Sequence, residues 1–205
     1  MGVPVHFMNN VTKFPACFIN VGVGVDKNQK MSPESLYVKD TFKGTDIYGI
    51  EADRDRYRIV KPDFPGKMFW AALGDTDEPI TMYKDPCGSG LDMVIGSDIG
   101  NEALQINTPG FTLDTFCKNQ GIKGDIFLWC DCEGYELKIL KGATDLLASG
   151  RIPYMLLELW VTRPYPDPQW AEAKDIIELL DKYDYEIIAK NHGNKYDALF
   201  KIRGI

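Results

Sequence analysis

The sequence has only two histidines, no cysteine pair with metal-binding spacing and no long apolar stretch. His6 and His192 are too few for a histidine-based metal site, and the Cys-x-x-Cys spacing of many zinc sites is absent. A membrane-spanning helix needs roughly 20 consecutive apolar residues, which the chain lacks. The first residues also lack the basic and apolar parts of a secretion signal. We therefore expect a cytoplasmic protein with no metal site and no membrane partner.

Positive charge is also scarce, with 23 lysines and arginines against 30 acidic residues and a net charge of −7. Because binding of a phosphate backbone depends on clustered lysine and arginine, this balance disfavours a nucleic-acid partner, although it leaves room for a local basic patch. A hydrophobic content of 44% is that of a globular protein, and 205 residues suit a single domain over residues 1–205. The sequence gives no indication of the oligomeric state.

Short apolar runs alternate with helical patterns along the chain. Strands are predicted at residues 17–21, 47–51, 67–73, 80–83, 126–130 and 154–159, and helices at residues 32–42, 53–60, 112–117, 135–148 and 169–183. Residues 186–189 and 198–202 are predicted to form a terminal hairpin. This order is typical of an α/β fold with a mainly parallel sheet covered on both faces. Residues 85–109 are glycine-rich, and we interpret them as a long functional loop, a candidate substrate lid.

The first predicted strand ends in a glycine-containing segment, Asn20-Val21-Gly22-Val23-Gly24-Val25-Asp26. Glycines at this position let a ligand approach the backbone closely. Glu51 ends the second strand, where a carboxylate can accept hydrogen bonds from both hydroxyls of a ribose. Together these features indicate an adenosine-containing cofactor, with a tight turn and a solvated acid as the alternative. Ala72 and Leu73, which end the third strand, would flank an adenine ring or simply pack in the core.

Two carboxylates, Asp131 and Glu133, directly follow the apolar run of residues 126–130, and Glu158 lies near the end of the next predicted strand. In open α/β sheets, ligands bind just outside the carboxyl ends of the strands. Because Asp131 and Glu158 belong to neighbouring parallel strands in the predicted order, we expect them to converge on one side of a pocket. Mutual repulsion between two such carboxylates would raise one pKa.

Several segments together resemble the FkbM-type S-adenosylmethionine-dependent methyltransferases. The segments are Leu113-Asp114-Thr115-Phe116, Asp131-Cys132-Glu133-Gly134-Tyr135-Glu136, Leu140-Lys141-Gly142-Ala143 and Leu156-Leu157-Glu158, with Glu51-Ala52-Asp53 and Ala72-Leu73-Gly74-Asp75 in the expected places. The resemblance implies a Rossmann-like class I methyltransferase fold with a seven-stranded, mainly parallel sheet and a C-terminal antiparallel hairpin. It also implies methyl transfer from S-adenosylmethionine, usually to a hydroxyl of a sugar, a glycan or a small natural product.

The resemblance further implies roles for individual residues. Gly22 and Gly24 would lie under the methionine part of the cofactor, and Glu51 would hold its ribose. Asp131 would face either the methionine amino group or the acceptor. The remaining residues of the predicted cofactor site are Asn20, Val23, Ala52, Ala72 and Leu73.

The glycine-containing segment departs from the pattern of the family. The family usually carries an acid at the position of Asn20, an asparagine at that of Gly24 and a third glycine at that of Asp26. An asparagine amide can accept a hydrogen bond but cannot neutralise an ammonium group. This departure keeps open a scaffold or binding module that retains the fold without catalysis. A methyltransferase that acts on a macromolecule is a further alternative.

A hydroxyl acceptor gains from a general base within hydrogen-bond reach. We predict Asp131, Glu158 and His192 as catalytic residues, with Glu133 as a further candidate. Each has a structural alternative: Glu133 would complement the dipole or the free N–H groups of the following helix, and Glu158 would pair with a basic residue such as Arg163. His192 would be a polar residue of the hairpin turn.

Aromatic residues follow the fifth predicted strand. Trp160, Tyr165 and Trp170 would form a wall for a sugar, or they would cover the edge of the sheet.

Overall fold

The computed structural model describes residues 4–12, 14–25, 34–84, 104–162 and 171–205. The strands are β1 (Cys17–Val21), β2 (Asp46–Glu51), β3 (Lys67–Trp70), β4 (Ala72–Leu73), β5 (Ile80–Lys84), β6 (Leu104–Thr108), β7 (Gly110–Phe111), β8 (Ile126–Cys130), β9 (Tyr154–Trp160), β10 (Tyr185–Lys190) and β11 (Lys195–Ile202). The helices are a 3-10 helix (Pro4–Asn10) and α1 (Glu34–Thr41), α2 (Arg54–Val60), α3 (Leu113–Asn119), α4 (Glu136–Lys141), α5 (Thr144–Ala148) and α6 (Ala173–Asp181). Within these described ranges, no helix is both long enough and apolar enough to cross a membrane.

Among the described residues, seven strands form the main sheet in the order β10-β11-β9-β8-β1-β2-β3. The pairs from β9 to β3 are parallel, and β11 runs antiparallel to both β9 and β10. Every residue of β1 and β8 is buried, as expected for central strands covered on both faces. The predicted α/β class, with a mainly parallel seven-stranded sheet and a C-terminal antiparallel hairpin, is confirmed.

Side chains of the central strands alternate between two apolar cores, one on each face of the sheet. Ile19 and Val21 of β1 belong to the core that α3, α4, α5 and α6 cover. Phe18, which precedes Ile19 and points to the opposite face, belongs to the core on the side of Val38 in α1 and Val60 in α2. Because side chains of a strand point to opposite faces in turn, Asn20 shares the face of Phe18.

Two of the predicted boundaries in the middle of the chain were wrong. The predicted strand 67–73 is interrupted at Ala71, and β4 leaves the main sheet to pair in parallel with β7. The predicted loop 85–109 includes a strand, β6, which pairs antiparallel with β5. The rest of that loop, residues 85–103, lies outside the described residues, as do the predicted helix starts at residues 32–33 and 169–170.

The predicted helix 135–148 is two helices, because Gly142 ends the first. A Cβ atom on Gly142 would lie 2.0 Å from the carbonyl oxygen of Gly74, so only glycine fits this contact. The next helix, α5, receives its N-terminal cap from another helix. The Asp114 carboxylate accepts hydrogen bonds from the backbone N–H groups of Asp145 and Leu146, at 2.9 and 3.1 Å. Asp114 is therefore not the cap of its own helix, α3, which Thr112 provides.

We expect Gly142→Ala to destabilise the protein by about 2–4 kcal/mol, because the added methyl group collides with a backbone oxygen and not with a movable side chain. Thermal unfolding would detect the loss. Lys141→Ala, at the exposed neighbouring position, is the matched control and should change stability by less than about 0.5 kcal/mol. Equal melting temperatures for the two variants would contradict the assigned contact.

Candidate active site

A cavity of about 220 Å³ lies at the carboxyl edge of the parallel strands. The register aligns Val21 of β1 with Ile50 of β2 and with Cys130 of β8, so the residues after these three strands meet at one place. Seven predicted site residues line the cavity: Gly22, Gly24, Glu51, Ala52, Ala72, Leu73 and Asp131. Sequence reasoning located this wall because each of these residues ends or follows a predicted strand.

The glycine-containing segment crosses directly over the end of β8. Gly22 has a φ of +78°, and a Cβ atom there would lie 2.0 Å from the carbonyl oxygen of Asp131. Its N–H donates to the carbonyl of Ile50 at 2.9 Å, while the Asp131 N–H donates to the carbonyl of Val21 at 3.1 Å. Gly22 therefore joins the ends of β1, β2 and β8, and no larger residue could do so.

Glu51 is buried at the floor of the cavity and holds the glycine-containing segment in place. Its two carboxylate oxygens accept hydrogen bonds from the N–H groups of Gly24, at 2.9 Å, and Asp53, at 2.8 Å. Burial raises the pKa of Glu51, while the two backbone donors oppose that rise. Each oxygen retains a lone pair for a further donor.

The backbone of Ala52 is fixed from the opposite side. Its carbonyl oxygen accepts hydrogen bonds from the indole N–H of Trp70, at 3.1 Å, and from the hydroxyl of Thr108, at 3.0 Å. Since Ala52, Ala72 and Leu73 all line the cavity, its wall on this side is apolar and firmly held.

Four predicted site residues are not part of the cavity lining: Asn20, Val23, His192 and Glu158, whose carboxylate contacts Lys195 beside the cavity. Asn20 is buried on the face of α1, where its Nδ2 donates to the hydroxyl oxygen of Ser35 at 3.3 Å. Val23 packs in the same core. His192 is exposed in the turn between β10 and β11. The cause for Asn20 is the alternation of the strand, which directs Val21 and Asn20 to opposite faces. Asp26, the other departure from the family pattern, lies outside the described residues.

Beside the cavity, three carboxylates and one ammonium group form a cluster of Asp131, Glu133, Glu158 and Lys195. Lys195 Nζ lies 2.6 Å from Glu158 Oε2 and 3.0 Å from Glu133 Oε2. One oxygen from each of the three acids lies within 4.8 Å of the others, a spacing that could hold a metal ion. The ammonium group of Lys195 supplies a positive charge to this same group of acids. Asp131 and Glu133 also line the cavity, so the cluster forms one of its walls.

Sequence reasoning predicted the convergence of Asp131 and Glu158 but missed Lys195. The predicted hairpin strand began at residue 198, whereas β11 begins at Lys195. In the structure, Lys195 pairs across the strands with Trp160, and Asp197 pairs with Glu158. Polar and apolar residues alternate from Lys195 to residue 198, and this alternation could have extended the predicted strand back to Lys195. The suggested partner Arg163 lies outside the described residues, as do Tyr165 and Trp170.

The protonation of the cluster departs from that of free acids. Burial and then repulsion from Glu133 raise the pKa of Asp131 to about 6. Burial and then repulsion from Asp131 and Glu133 raise the pKa of Glu158 to about 10. Burial lowers the pKa of Lys195, but its carboxylate partners outweigh that effect and raise it. Near neutral pH, Asp131 and Glu158 together therefore retain a proton that two separate, solvated acids would have lost.

Glu133 and Glu136 have different tasks in the turn before α4. Glu133 adopts a φ of +50° and directs its carboxylate to Lys195, not to the N–H groups of the helix. Glu136 is buried and accepts a hydrogen bond from the Cys132 N–H at 2.7 Å. Burial raises the pKa of Glu136 to about 8. The helix α4 has no side-chain cap hydrogen bond, so Glu133 does not cap it; Glu136 ties the turn before the helix together.

A parallel sheet with a glycine turn and a strand-end acid around one cavity defines an enzyme class that uses a nucleotide-type cofactor. The model of the methyltransferase FkbM domain matches residues 17–187, and the chain belongs to that family. The protein is therefore an S-adenosylmethionine-dependent methyltransferase, as the resemblance of its segments implied. A comparison with curated proteins returns no match.

Solved structures give distant likenesses. A TehB-like SAM-dependent methyltransferase from Corynebacterium glutamicum is 11% identical, with a TM-score of 0.47 over 97% of this chain and 86% of that one. A SAM-dependent methyltransferase from Aquifex aeolicus is 12% identical, with a TM-score of 0.46 over 97% of this chain and 89% of that one. M. capricolum TrmK, solved with S-adenosyl-homocysteine, is 9% identical, with a TM-score of 0.49 over 99% of this chain and 69% of that one. The family match, and not these likenesses, identifies the enzyme.

Proposed function

We propose that the enzyme methylates a hydroxyl group of a small molecule, a sugar or a glycan, with Asp131 as the general base. The observation that carries this proposal is the position of Asp131: the residue lines the cavity, and its carboxyl group has a pKa of about 6. A base with a pKa just below the working pH is ionised and still accepts a proton readily. A hydroxyl acceptor needs such a group, because its proton must leave as the new bond to carbon forms.

The residues of the cavity suit S-adenosylmethionine. The carboxylate of Glu51 retains lone pairs that ribose hydroxyls could occupy, and Ala52, Ala72 and Leu73 offer an apolar wall for adenine. Gly22 and Gly24 present backbone without side chains beneath the methionine part. When bound, the cofactor supplies a methyl group activated by a sulfonium.

The protein contributes alignment, exclusion of water and a place for the proton. Asp131 would accept the hydroxyl proton, and Glu158, which hydrogen-bonds to Asp131, would share the resulting charge change. The asparagine at position 20 does not argue against this chemistry. Its amide faces Ser35 on the other side of β1, so it does not set the charge of the cavity. The position of Asn20 thereby removes one argument for the scaffold alternative.

We expect Glu51→Gln to weaken S-adenosylmethionine binding by about 10- to 100-fold, because one carboxylate oxygen becomes an NH₂ group that cannot accept a hydrogen bond. Calorimetry with S-adenosylmethionine and with its demethylated product measures the loss. Glu178→Gln, an exposed substitution on α6, should bind like the wild type. An unchanged affinity in folded Glu51→Gln would remove Glu51 from the cofactor site.

Methyl transfer to hydroxyl acceptors should depend on the ionised form of Asp131. We expect the rate to rise with pH through about 6 and then to level off, because the base form predominates above its pKa. Asp131→Asn should lower the rate by about 100- to 10,000-fold and abolish this step in the pH profile. Transfer of a labelled methyl group to a panel of monosaccharides, nucleotide sugars and phenols gives the measurement.

The exposed substitution Asp181→Asn is the control for Asp131→Asn. If Asp131→Asn retained full activity on the acceptor with an unchanged pH profile, Asp131 would not be the base. Cofactor binding measured on the same variant separates a lost base from a lost cofactor.

A macromolecular acceptor is the second candidate, and a groove beside α2 favours it. Residues 54–70 carry five basic and two acidic side chains in a chain whose net charge is −7. Arg54 and Arg58 border a groove of about 460 Å³ that is lined by aromatic side chains, including Tyr57 and Trp70. The guanidinium of Arg54 lies 4.8 Å from the centre of the Trp70 ring. Cationic and aromatic side chains together are typical of single-strand nucleic-acid grooves.

If nucleic acid is the acceptor, a mixed-sequence single-stranded RNA should bind at low salt, and its affinity should fall steeply as salt is raised. The double substitution Arg54→Ala with Arg58→Ala should weaken this binding and flatten the salt dependence. Arg203→Ala is the control. Arg203 directly follows β11, does not border the groove and pairs with Asp181. If the wild type does not bind RNA at low salt, about 50 mM, the nucleic-acid acceptor is excluded. The small-molecule acceptor then remains as the candidate.

A further inference from the structure

We propose that Lys195 is a positioning residue that fixes the charge of the Asp131, Glu133 and Glu158 cluster, so that Asp131 remains available as a base at neutral pH. The inference rests on the proposed function, because it concerns how Asp131 stays ionised as a base beside the acids Glu133 and Glu158. Lys195 is not one of the predicted catalytic residues, and it does not line the cofactor cavity.

The geometry places the Lys195 ammonium between two acids that are not the base. Its Nζ lies 2.6 Å from Glu158 and 3.0 Å from Glu133, with the Trp160 ring centre 5.2 Å away. The side chains are only 24%, 22% and 12% exposed for Lys195, Glu133 and Glu158, so water screens these charges weakly. At such distances the ammonium group offsets part of the negative charge of its neighbours. Without it, that charge would favour the protonated form of Asp131.

Among the charged groups of the described residues that act on Asp131, Lys195 supplies the positive charge. The charged groups that act on Asp131 are Glu133, Glu158 and Asp197 together with Lys195 itself. Glu136, beneath the turn, adds a further acid. Asp197 is tied to Asn191, whose Nδ2 donates to it at 2.9 Å, and His6 acts on Asp197 electrostatically from the N-terminal 3-10 helix. Among these groups, Lys195 is the cation in direct contact with the cluster.

The strand architecture explains why this lysine can hold its position. Lys195 and Asp197 alternate along β11, so both point to the same face of the sheet as Glu158 and Trp160 on the paired strand β9. The ammonium nitrogen of Lys195 also lies over the ring of Trp160, 5.2 Å from its centre, which further restricts its position. Two independent contacts, one aromatic and one ionic, therefore fix the cation beside the cavity wall.

The experiment is a proton titration of the folded protein without acceptor or cofactor. The side-chain carboxyl carbons of Asp131, Glu133 and Glu158 are followed by ¹³C NMR from acid to alkaline pH. In Lys195→Met, we expect the titration midpoint of Asp131 to rise by at least about one pH unit, which is a tenfold change in proton affinity. Lys195→Arg should restore the midpoint, since it keeps the positive charge.

Lys138→Met is the matched control, because Lys138 forms a similar ion pair with Asp75, at 2.7 Å, outside the cluster. It should leave the midpoint of Asp131 unchanged. If Lys195→Met does not fold, Lys195→Gln provides the second test, because it also removes the positive charge and keeps a polar end. It should likewise raise the midpoint of Asp131. A midpoint of Asp131 that stays the same in a folded variant of either kind would overturn the proposal.

The titration and the methyl-transfer assay fail independently. If methyl transfer proceeds without Asp131, the proposed base is wrong even where Lys195 shifts the titration. If Asp131 is the base but its titration midpoint does not change when Lys195 is replaced, the positioning role of Lys195 is wrong. With an accepted substrate, Lys195→Met should move the pH profile of kcat/KM to higher pH by about the same amount as the NMR midpoint, because kcat/KM reports the free enzyme. A purely structural role would not produce this change.

Discussion

The close contact between Gly22 and the carbonyl oxygen of Asp131 is the constraint on which the site depends. It holds the loop after β1 against the loop after β8, and the hydrogen bond from Gly22 to Ile50 adds the end of β2. Glu51 reinforces the arrangement by accepting hydrogen bonds from Gly24 and Asp53. A side chain at position 22 would separate these strand ends, and the wall that carries Asp131 would then move away from the wall that carries Glu51.

Some residues of the segments that identify the family have structural roles in this chain. Asp114 caps α5, Gly142 packs on the Gly74 carbonyl, and Glu136 accepts a hydrogen bond from Cys132. These contacts shape the helices behind the cavity, and Glu136 also holds the backbone of Cys132, which lines it. In the proposed function, the chemistry depends on Asp131 and on the residues that set its charge. Membership of the family is therefore informative about the cofactor site, whereas the nature of the acceptor depends on other parts of the surface.

The sequence predicted the fold and much of the cavity because both depend on local patterns. Gly22, Glu51 and Asp131 were found since strand ends in a parallel sheet meet at one edge. Alternation along β1 could also have shown that Asn20 faces away from Val21, but the family pattern drew attention to its chemistry instead. The ion pair of Lys195 with Glu133 and the packing of Gly142 on Gly74 join residues far apart in the chain. No local sequence pattern predicts such contacts. The strand β6 was missed because its glycine-rich surroundings obscured it.

The position of Lys195 along the chain has a consequence for the order in which the protein is made. Lys195 lies 62 residues after Glu133 and is carried by β11, which sits between β9 and β10 in the sheet. During synthesis, the three acids leave the ribosome well before the lysine that balances them. Until β11 inserts beside β9, the nascent chain holds an uncompensated group of acids at the edge of a half-built sheet. Completion of the sheet and neutralisation of that group are thus one event, and a chain interrupted before β11 would lack both.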